Sequence, residues 1–560
     1  MASAGLLKLL STGLQDERLA SPKGQPRIDV FQKAYIKAGR FTTEWYGVDF
    51  DNTPSLGQAS QASVTQGEMP EGNLYDISGY IAGINPAAAA SFVATANPSL
   101  ISCGLGAFSS TVPYARASIP RRGQLINSVF LVTTMPDIIS QQIAAQNYCK
   151  ERGLEFAGPV FGWTNSIGHA IVGSASLSIG GSPIDTLDGR LLEVMDEFHT
   201  PLEKMSTVNR MIGRASNGFS ATTNQGQIGQ GQVVSTPLPF WFCRGDPASA
   251  LPVDAIGQDA IQVQIGFNPI DSLYTSSART LTSQGKVTLP PMASSPFYYL
   301  DPLGKRVAGL TGDPLQTQLC SPIPGIKMPA TYKLGPTYLL VEYVYIDNPE
   351  ANRIRLSDLS YPIVQHYAID PFNTNSSPYA RIPMRIPNPA RDLYMMCHRN
   401  DADLVNAPFL ATRDLSYSAV PIVPWWPDAS GVVPAYSQID SEPIKTLGLY
   451  YEGKMMRVGT DAPMLFRSVL SGYEQRKTPW NNKYYYHIPF GRCSEFSRIS
   501  NPLGEANLDK IPSIEMALSF KQFRGSVLAQ DVPQYTVYIW VETYNILRVY
   551  GGRASLLFAY

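Results

Sequence analysis

The run Tyr338-Leu-Leu-Val-Glu-Tyr-Val-Tyr-Ile-Asp347 limits most sharply what this chain can become. It is dense in β-branched and aromatic residues, and Gly335-Pro336 and Asn348-Pro349 mark its ends. Such a run reads as a β-strand. A strand leaves backbone donors and acceptors on both flanks, so it demands neighbours. A charged stretch continues through Arg355, and then comes a second run, Tyr361-Pro-Ile-Val-Gln-His-Tyr-Ala-Ile-Asp370. The residues before Tyr338 have the makings of one full set of strands, and the residues after it have the makings of another. The expectation is two β-domains of like architecture, the second opening at Tyr338.

Other segments agree with a β-rich chain. Ile261-Gln-Val-Gln-Ile-Gly-Phe267 alternates most cleanly, with Ile, Val, Ile and Phe inward, and the first domain is expected to close there. Ile171–Gly181 alternates Ala175, Leu177 and Ile179 against Ser174, Ser176 and Ser178. Leu125–Val132, Val233–Cys243, Leu447–Met456, Lys483–Phe490 and Ile514–Lys521 read as further strands, and Ile28–Phe50 as an early one. Arg381–His398 reads as a strand pair around Pro387-Asn388-Pro389. Tyr535–Tyr550, the Gly551-Gly552 break and Ala554–Tyr560 read as a long strand and a short final one at a sandwich edge. Helices are expected at Pro136–Arg152 and in one insert. There Leu187, Leu191, Met195, Phe198, Leu202, Met205 and Val208 form a helical stripe. Thr200-Pro201-Leu202-Glu203 has capping-box form, so two helices are expected to meet near Thr200. The stripe is expected to cover an open barrel end. Asp51–Ala115, Asn217–Gln232, Ser272–Lys333 and Asn406–Pro443 are long and rich in Gly, Pro or small polar residues, and read as loops and connectors.

Composition bounds the function. Charged residues make up 16% of the 560, against about a quarter in an ordinary soluble domain. With 45 Pro and 45 Gly, this suggests many turns and much surface buried against something else. The net charge is −1 with no basic tail or stripe, so direct binding of nucleic acid is not expected. The six Cys, at 103, 149, 243, 320, 397 and 493, form no C-x-x-C, which indicates neither zinc nor a redox pair. They are expected as buried free thiols. No apolar run approaches the roughly 20 residues that span a bilayer. The N-terminus, with Leu6, Leu7, Leu9, Leu10 and Leu14, lacks the form of a cleaved signal. It reads either as a short amphipathic helix that docks on a partner or as a frayed end packed on its own domain.

Six stretches together resemble the double jelly-roll major capsid proteins of large nucleocytoplasmic DNA viruses, such as phycodnaviruses, iridoviruses and asfarviruses. They are Gly13–Asp16 with Phe31-Gln-Lys33, Tyr35 and Phe41; Ile119-Pro-Arg-Arg-Gly-Gln-Leu-Ile126; Leu177-Ser-Ile-Gly-Gly-Ser-Pro-Ile-Asp185; and Pro239-Phe-Trp-Phe-Cys-Arg244 with Ala250-Leu-Pro252. The last two are Leu340–Asp347 with Tyr361–Gln365, and Phe496–Asn501 with Tyr544–Arg548 and Gly551-Gly552. Asp51–Ala115 is longer than the family pattern, and Gly491–Glu495 stands where the family has a Pro-Ser-Gly turn.

The resemblance implies an all-β fold with helical inserts: two tandem eight-stranded jelly rolls in a pseudo-hexagonal trimer. It assigns 1–27 to an N-terminal arm, 28–270 to the first jelly roll, 271–336 to a connector with loops, and 337–560 to the second jelly roll. The implied function is that of a major capsid protein, self-assembling into trimeric capsomers that tile an icosahedral shell. Its implied partners are the other two chains of a homotrimer, neighbouring capsomers, minor capsid proteins met through the arm and, indirectly, an inner membrane. Its implied place is the virion, assembled in the host-cell cytoplasm. The alternative on the same fold is a minor capsomer or spike for host attachment, with Trp425-Trp426 suited to stacking on sugars.

Catalysis is not expected. The chain holds no G-x-x-x-x-G-K-[ST], H-E-x-x-H or G-x-S-x-G. His169, His199, His366, His398 and His487 never fall at chelating spacing. No catalytic, cofactor-binding or metal residue is therefore assigned, and a cupin-like enzyme is the reading set aside. Arg244-Gly245-Asp246 has the form of an attachment triplet but reads as a turn after a core strand. Asn375-Ser-Ser377 is a glycosylation sequon in a turn-rich stretch.

Overall fold

The computed structural model describes residues 40–52, 54, 114–135, 160–214, 232–245, 247–268, 272–277, 280–281, 287–288, 334–400, 408–409, 411, 413, 442–459, 463–470, 477–479, 483–491, 504–522 and 532–558. The expected arm, the 136–152 helix, the 217–231 loop, Trp425-Trp426 and nearly all of the 51–115 and 406–443 inserts lie outside them.

Eight strands build the first sandwich: β1 (Phe41–Asp49), β2 (Tyr114–Ser118), β3 (Leu125–Met135), β4 (Val172–Ile179), β5 (Ser182–Leu187), β6 (Gln232–Pro237), β7 (Ile261–Phe267) and β8 (Thr337–Ile346). Eight more build the second: β9 (Leu359–Asn373), β10 (Tyr379–Met384), β11 (Pro389–Arg399), β12 (Ile444–Tyr451), β13 (Lys454–Gly459), β14 (Tyr485–Pro489), β15 (Ile514–Phe520) and β16 (Tyr535–Tyr550). The first set forms sheets of order β1-β8-β3-β6 and β2-β7-β4-β5. The second forms β9-β16-β11-β14 and β10-β15-β12-β13, with Ala506–Asn507 and Arg553–Leu556 added to the former. Adding eight to each label of the first pair of sheets yields the second pair. Each set is a jelly roll, so the chain is a double jelly roll.

Strand partners differ from those the sequence suggested. Thr337–Ile346 does not open the second domain. It pairs with β3, Leu340 opposite Phe130, and completes the first roll. A jelly roll inserts its last strand between its first and third, and alternation within one strand carries no record of its partner. The charged stretch after it is helical, Asn348–Leu356, and precedes β9. Arg381–His398 is not a pair, because β10 pairs with β15 and β11 with β14 and β16, on opposite sheets. Leu447–Met456 is a hairpin, with Glu452-Gly453 in left-handed conformation (φ 48° and 76°) at its two-residue turn. The strand expected over Val233–Cys243 ends at Pro237, and a 3₁₀ turn takes Trp241–Cys243. Far from an edge, β16 lies between β9 and β11.

Each roll has its own interior. Leu339, Val341 and Tyr343 of β8, with Ile126, Val129 and Leu131 of β3, are 0–1% exposed inside the first. Met395 and Cys397 of β11, with Val537, Ile539 and Val541 of β16, fill the second. Antiparallel order also sorts the connections. The β1–β2, β3–β4, β5–β6 and β7–β8 links leave one end of the first roll, and the corresponding links of the second roll leave one end there. All but one of these are long, namely 50–113, 136–171, 188–231, 268–336, 400–443, 460–484 and 521–534; the exception is 374–378. The opposite ends carry the turns 119–124, 180–181, 385–388 and 452–453 together with the longer links 238–260 and 490–513.

Candidate functional site

The insert between β5 and β6 contributes the element that joins the two rolls. Its first helix, α1 (Gly189–His199), starts at Asp188, whose carboxylate accepts from the Leu191 amide at 2.7 Å. Leu191, Met195 and Phe198 of the expected stripe are buried. The stripe then fails. Leu202 is 72% exposed, and Met205 and Val208 are half-buried. The capping box at Thr200 does not form either. Thr200 closes α1, and its hydroxyl donates back to the Asp196 carboxylate. The chain then makes a 3₁₀ turn at Leu202–Lys204 and a short helix at Met205–Met211.

With Leu191, Met195 and Phe198 in the first roll's core, α1 also packs against the second roll. Phe198 lies 5.4 Å from the His487 ring and 6.3 Å from Tyr394, centre to centre. His199 Nε2 is 2.7 Å from the Tyr394 hydroxyl, and Trp540 Nε1 donates to Asp188 at 2.7 Å. Arg190 stands over the Tyr538 ring at 4.5 Å.

Glu193, Asp196 and Glu197 form a row of like charges on α1, which disfavours an isolated helix. Cations from elsewhere offset the repulsion. Lys483 donates to Glu193 at 2.6 Å and to Glu197 at 2.7 Å, and Lys477 lies 3.1 Å from Glu197. Arg214 bonds Glu193 at 2.5 Å and also pairs with Asp196. His169 Nδ1 is 2.7 Å from Glu193. Burial alone would raise the Glu193 carboxyl, but Arg214, Lys483 and His169 outweigh it and hold it well below the usual range. Glu197 is lowered in the same way, with Lys483 the leading counter-charge to its burial.

The wall that receives α1 obeys the period of two. On β16, Val537, Ile539 and Val541 enter the second core, so Tyr538, Trp540, Glu542 and Tyr544 face the first roll. On β11, Leu393, Met395 and Cys397 go inward, and Tyr394 and Met396 join the first roll's core. Strands buried on both faces read as unbroken apolar runs, as Leu393–Cys397 does.

Beside this wall, Arg244 donates to Glu542 at 2.7 Å. His366 sits between two carboxylates, Nδ1 3.0 Å from Asp185 and Nε2 3.2 Å from Glu542. Burial alone would lower the His366 imidazole, but Asp185 and Glu542 outweigh it and push it up to about 9. The Glu542 carboxyl is held well below its usual range, burial being outweighed by Arg244, His366 and Arg391. Gln365 donates to the Ile184 carbonyl. At the other end, Gln258 N donates to Gly552 O at 2.8 Å, and Ala554 N to Asp259 at 2.9 Å. The rolls therefore stand side by side.

The charged groups of this seam are closed off from solvent. The side chains of Asp185, His366 and Glu542 are 0–1% exposed. Among the described residues, no group of three His, Cys, Asp or Glu is placed to hold a metal. Arg244 of the attachment-like triplet is 6% exposed and spent on Glu542, while Asp246 lies outside the described residues. Cys243 and Cys397 are free thiols whose pKa burial pushes up. Asn375 is exposed in the β9–β10 turn with φ 49°. The sequence reading missed the seam. The one local sign of it was the carboxylate row on α1, since the answering Lys483 lies more than 280 residues away.

A family model described as the major capsid protein N-terminus matches residues 103–298. The PBCV-1 virus capsid chain superposes with a TM-score of 0.56 at 14% identity, covering 95% of this chain and all of that one. The chain shares the fold of that capsid chain, a double jelly roll. The Faustovirus major capsid protein superposes on it with a TM-score of 0.55 at 9% identity, covering 94% and 93% of the two chains. Capsid protein 1 of Acanthamoeba polyphaga mimivirus is 29% identical over 179 residues, 31% of this chain and 28% of that one. Matches to curated relatives span 28–39% of those relatives' lengths. Three of the capsid-type motifs of the sequence reach the seam. Asp185, Arg244 and Gln365 each end one of them and each bond across the seam or along it.

Proposed function

We propose that this chain is the major structural subunit of a viral capsid. It would work by repeated self-association rather than by catalysis. The observation that carries the proposal is the locked pair of equivalent jelly rolls. Two like rolls side by side present two similar outer edges, so three chains around an axis give six similar rolls and a hexagonal outline that can tile a surface. A low charge density suits a subunit whose surface is covered by copies of itself.

On this reading the domains run from 41 to 346 for the first roll and from 359 to 558 for the second, with residues before 41 as an arm toward minor capsid proteins. The long inserts would face outward from the shell. The chain would reside in the virion after assembly in the host cytoplasm, over an inner membrane and without direct contact with nucleic acid. Light scattering on the purified chain tests this. The expected mass is about three times 61.3 kDa. A stable monomer at micromolar concentration would sink the reading.

A further inference from the structure

In the 560 residues, the one Asn-x-Ser/Thr with x other than Pro is Asn375-Ser-Ser377. It falls in the 374–378 turn between β9 and β10, at the end of the second roll where the long inserts also leave. Asn375 and Ser376 are both exposed and both left-handed, with φ of 49° and 60°. An Asn in a turn ordinarily folds its side chain back onto the neighbouring backbone. Here other groups hold the turn. The Asn373 carboxamide oxygen accepts from Asn375 N at 2.9 Å and from Gln534 Nε2 at 3.1 Å. Ser377 N donates to the Thr374 carbonyl at 2.9 Å, and the Ser377 hydroxyl donates to the Tyr379 carbonyl at 2.7 Å. Thr374 N donates to Tyr535 O at 2.9 Å and Tyr535 N to the Thr374 hydroxyl at 3.0 Å, which ties the turn to β16. Among the described residues nothing bonds the Asn375 carboxamide. The turn closes without it, and it stands in solvent. Tyr379, two residues past Ser377, is 73% exposed.

We propose that Asn375 is a sugar-attachment site, modified at its side-chain nitrogen by an enzyme that uses a diphosphate-activated sugar. Asn375 Nδ2 forms a bond to C1 of the sugar, and the C1–O bond to the diphosphate breaks. The diphosphate leaves with the electron pair, and the amide proton passes to a base of the transferring enzyme. The donor is a sugar diphosphate ester, linked to a nucleotide or to a lipid, and the chemistry at Asn375 is the same for both. The turn suits the role. A bulky hydrophilic group on an exposed turn keeps to water and displaces no strand. The Tyr379 ring offers the first sugar an apolar face to rest against, in place of the water it now meets. Attachment does not depend on the capsid reading. Under that reading the sugar stands on the outer surface, because 374–378 shares its end with the long inserts.

Two measurements test the site. The first is peptide mapping by mass spectrometry of the full chain taken from particles. A sugar on Asn375 is expected. N-acetylhexosamine at the linkage identifies a lipid-linked donor, and hexose identifies a nucleotide-linked one. A bare Asn375 overturns the site and leaves the capsid reading intact. In the second, the purified full chain is mixed with a soluble N-glycosyltransferase and UDP-glucose, and the fold of each variant is checked by thermal melting. Wild type and Ser377→Thr are expected to gain one hexose, and Asn375→Gln and Ser377→Ala none. A folded wild-type chain that gains none, or an Asn375→Gln chain that gains as much as wild type, overturns the site. Particles that lack the chain overturn the capsid reading instead, and the second measurement then decides the site alone.

Discussion

At the scale of the residue, His366 shows how a buried group couples the rolls to pH. Its two ring nitrogens face Asp185 of the first roll and Glu542 of the second. Arg244, Arg391 and Asp392 are the nearby charges that complete the balance. The unfolded imidazole titrates near 6.5, whereas the folded one is raised to about 9. A raised pKa means the folded state holds the proton more tightly. The stabilisation is therefore full below about pH 6.5 and is lost as the pH rises through about 9. Its upper bound is about 3 kcal/mol, from the separation of the two values. Denaturation midpoints measured from pH 6 to pH 10 should fall across that window. His366→Gln should flatten the fall, and an unchanged slope in the variant would show that other groups set it. None of this was legible from the histidine spacing, because both carboxylates come from more than 170 residues away.

At the scale of the element, α1 is placed by a close approach at its first residue. A Cβ on Gly189 would lie 2.2 Å from the His169 carbonyl oxygen and 2.5 Å from that of Val172, and neither backbone atom can turn aside. Gly189→Ala should therefore force α1 away from β4 and out of register with Lys483 and Trp540. The expected loss is roughly 1–3 kcal/mol or more, read as a lower denaturation midpoint. A variant with the wild-type midpoint would mean that the helix can slide without cost. The sequence showed that a helix exists here, because its apolar period is clear up to Phe198. It misjudged the continuation, because Leu202 keeps the period but stays exposed, and Met205 and Val208 are only half-buried. Period reports a face, and burial needs something to face.

At the scale of the whole molecule, the seam makes the two rolls one thermodynamic unit. Trp540, Tyr394, Met396 and Tyr485 of the second roll belong to the first roll's core cluster. Removing one partner from a buried ion pair costs about 3–5 kcal/mol, and the seam contains several such pairs. Calorimetry on the full chain should show one cooperative transition rather than one for each roll. Two resolved transitions would mean that the interface is weaker than its burial implies.

The sequence by itself determined that strands dominate, that they come in two comparable sets, and where most of them lie. Period-two alternation and turn residues are local properties, and local sterics enforce them. Tertiary structure alone decided that Thr337–Ile346 closes the first roll instead of opening the second, and that Glu542 waits for Arg244, 298 residues earlier in the chain. A strand's pattern states which of its faces is buried and never which strand or charge will meet it. That choice is made by the packing of the whole chain, where buried charges must find counter-charges and every ladder must find its partner.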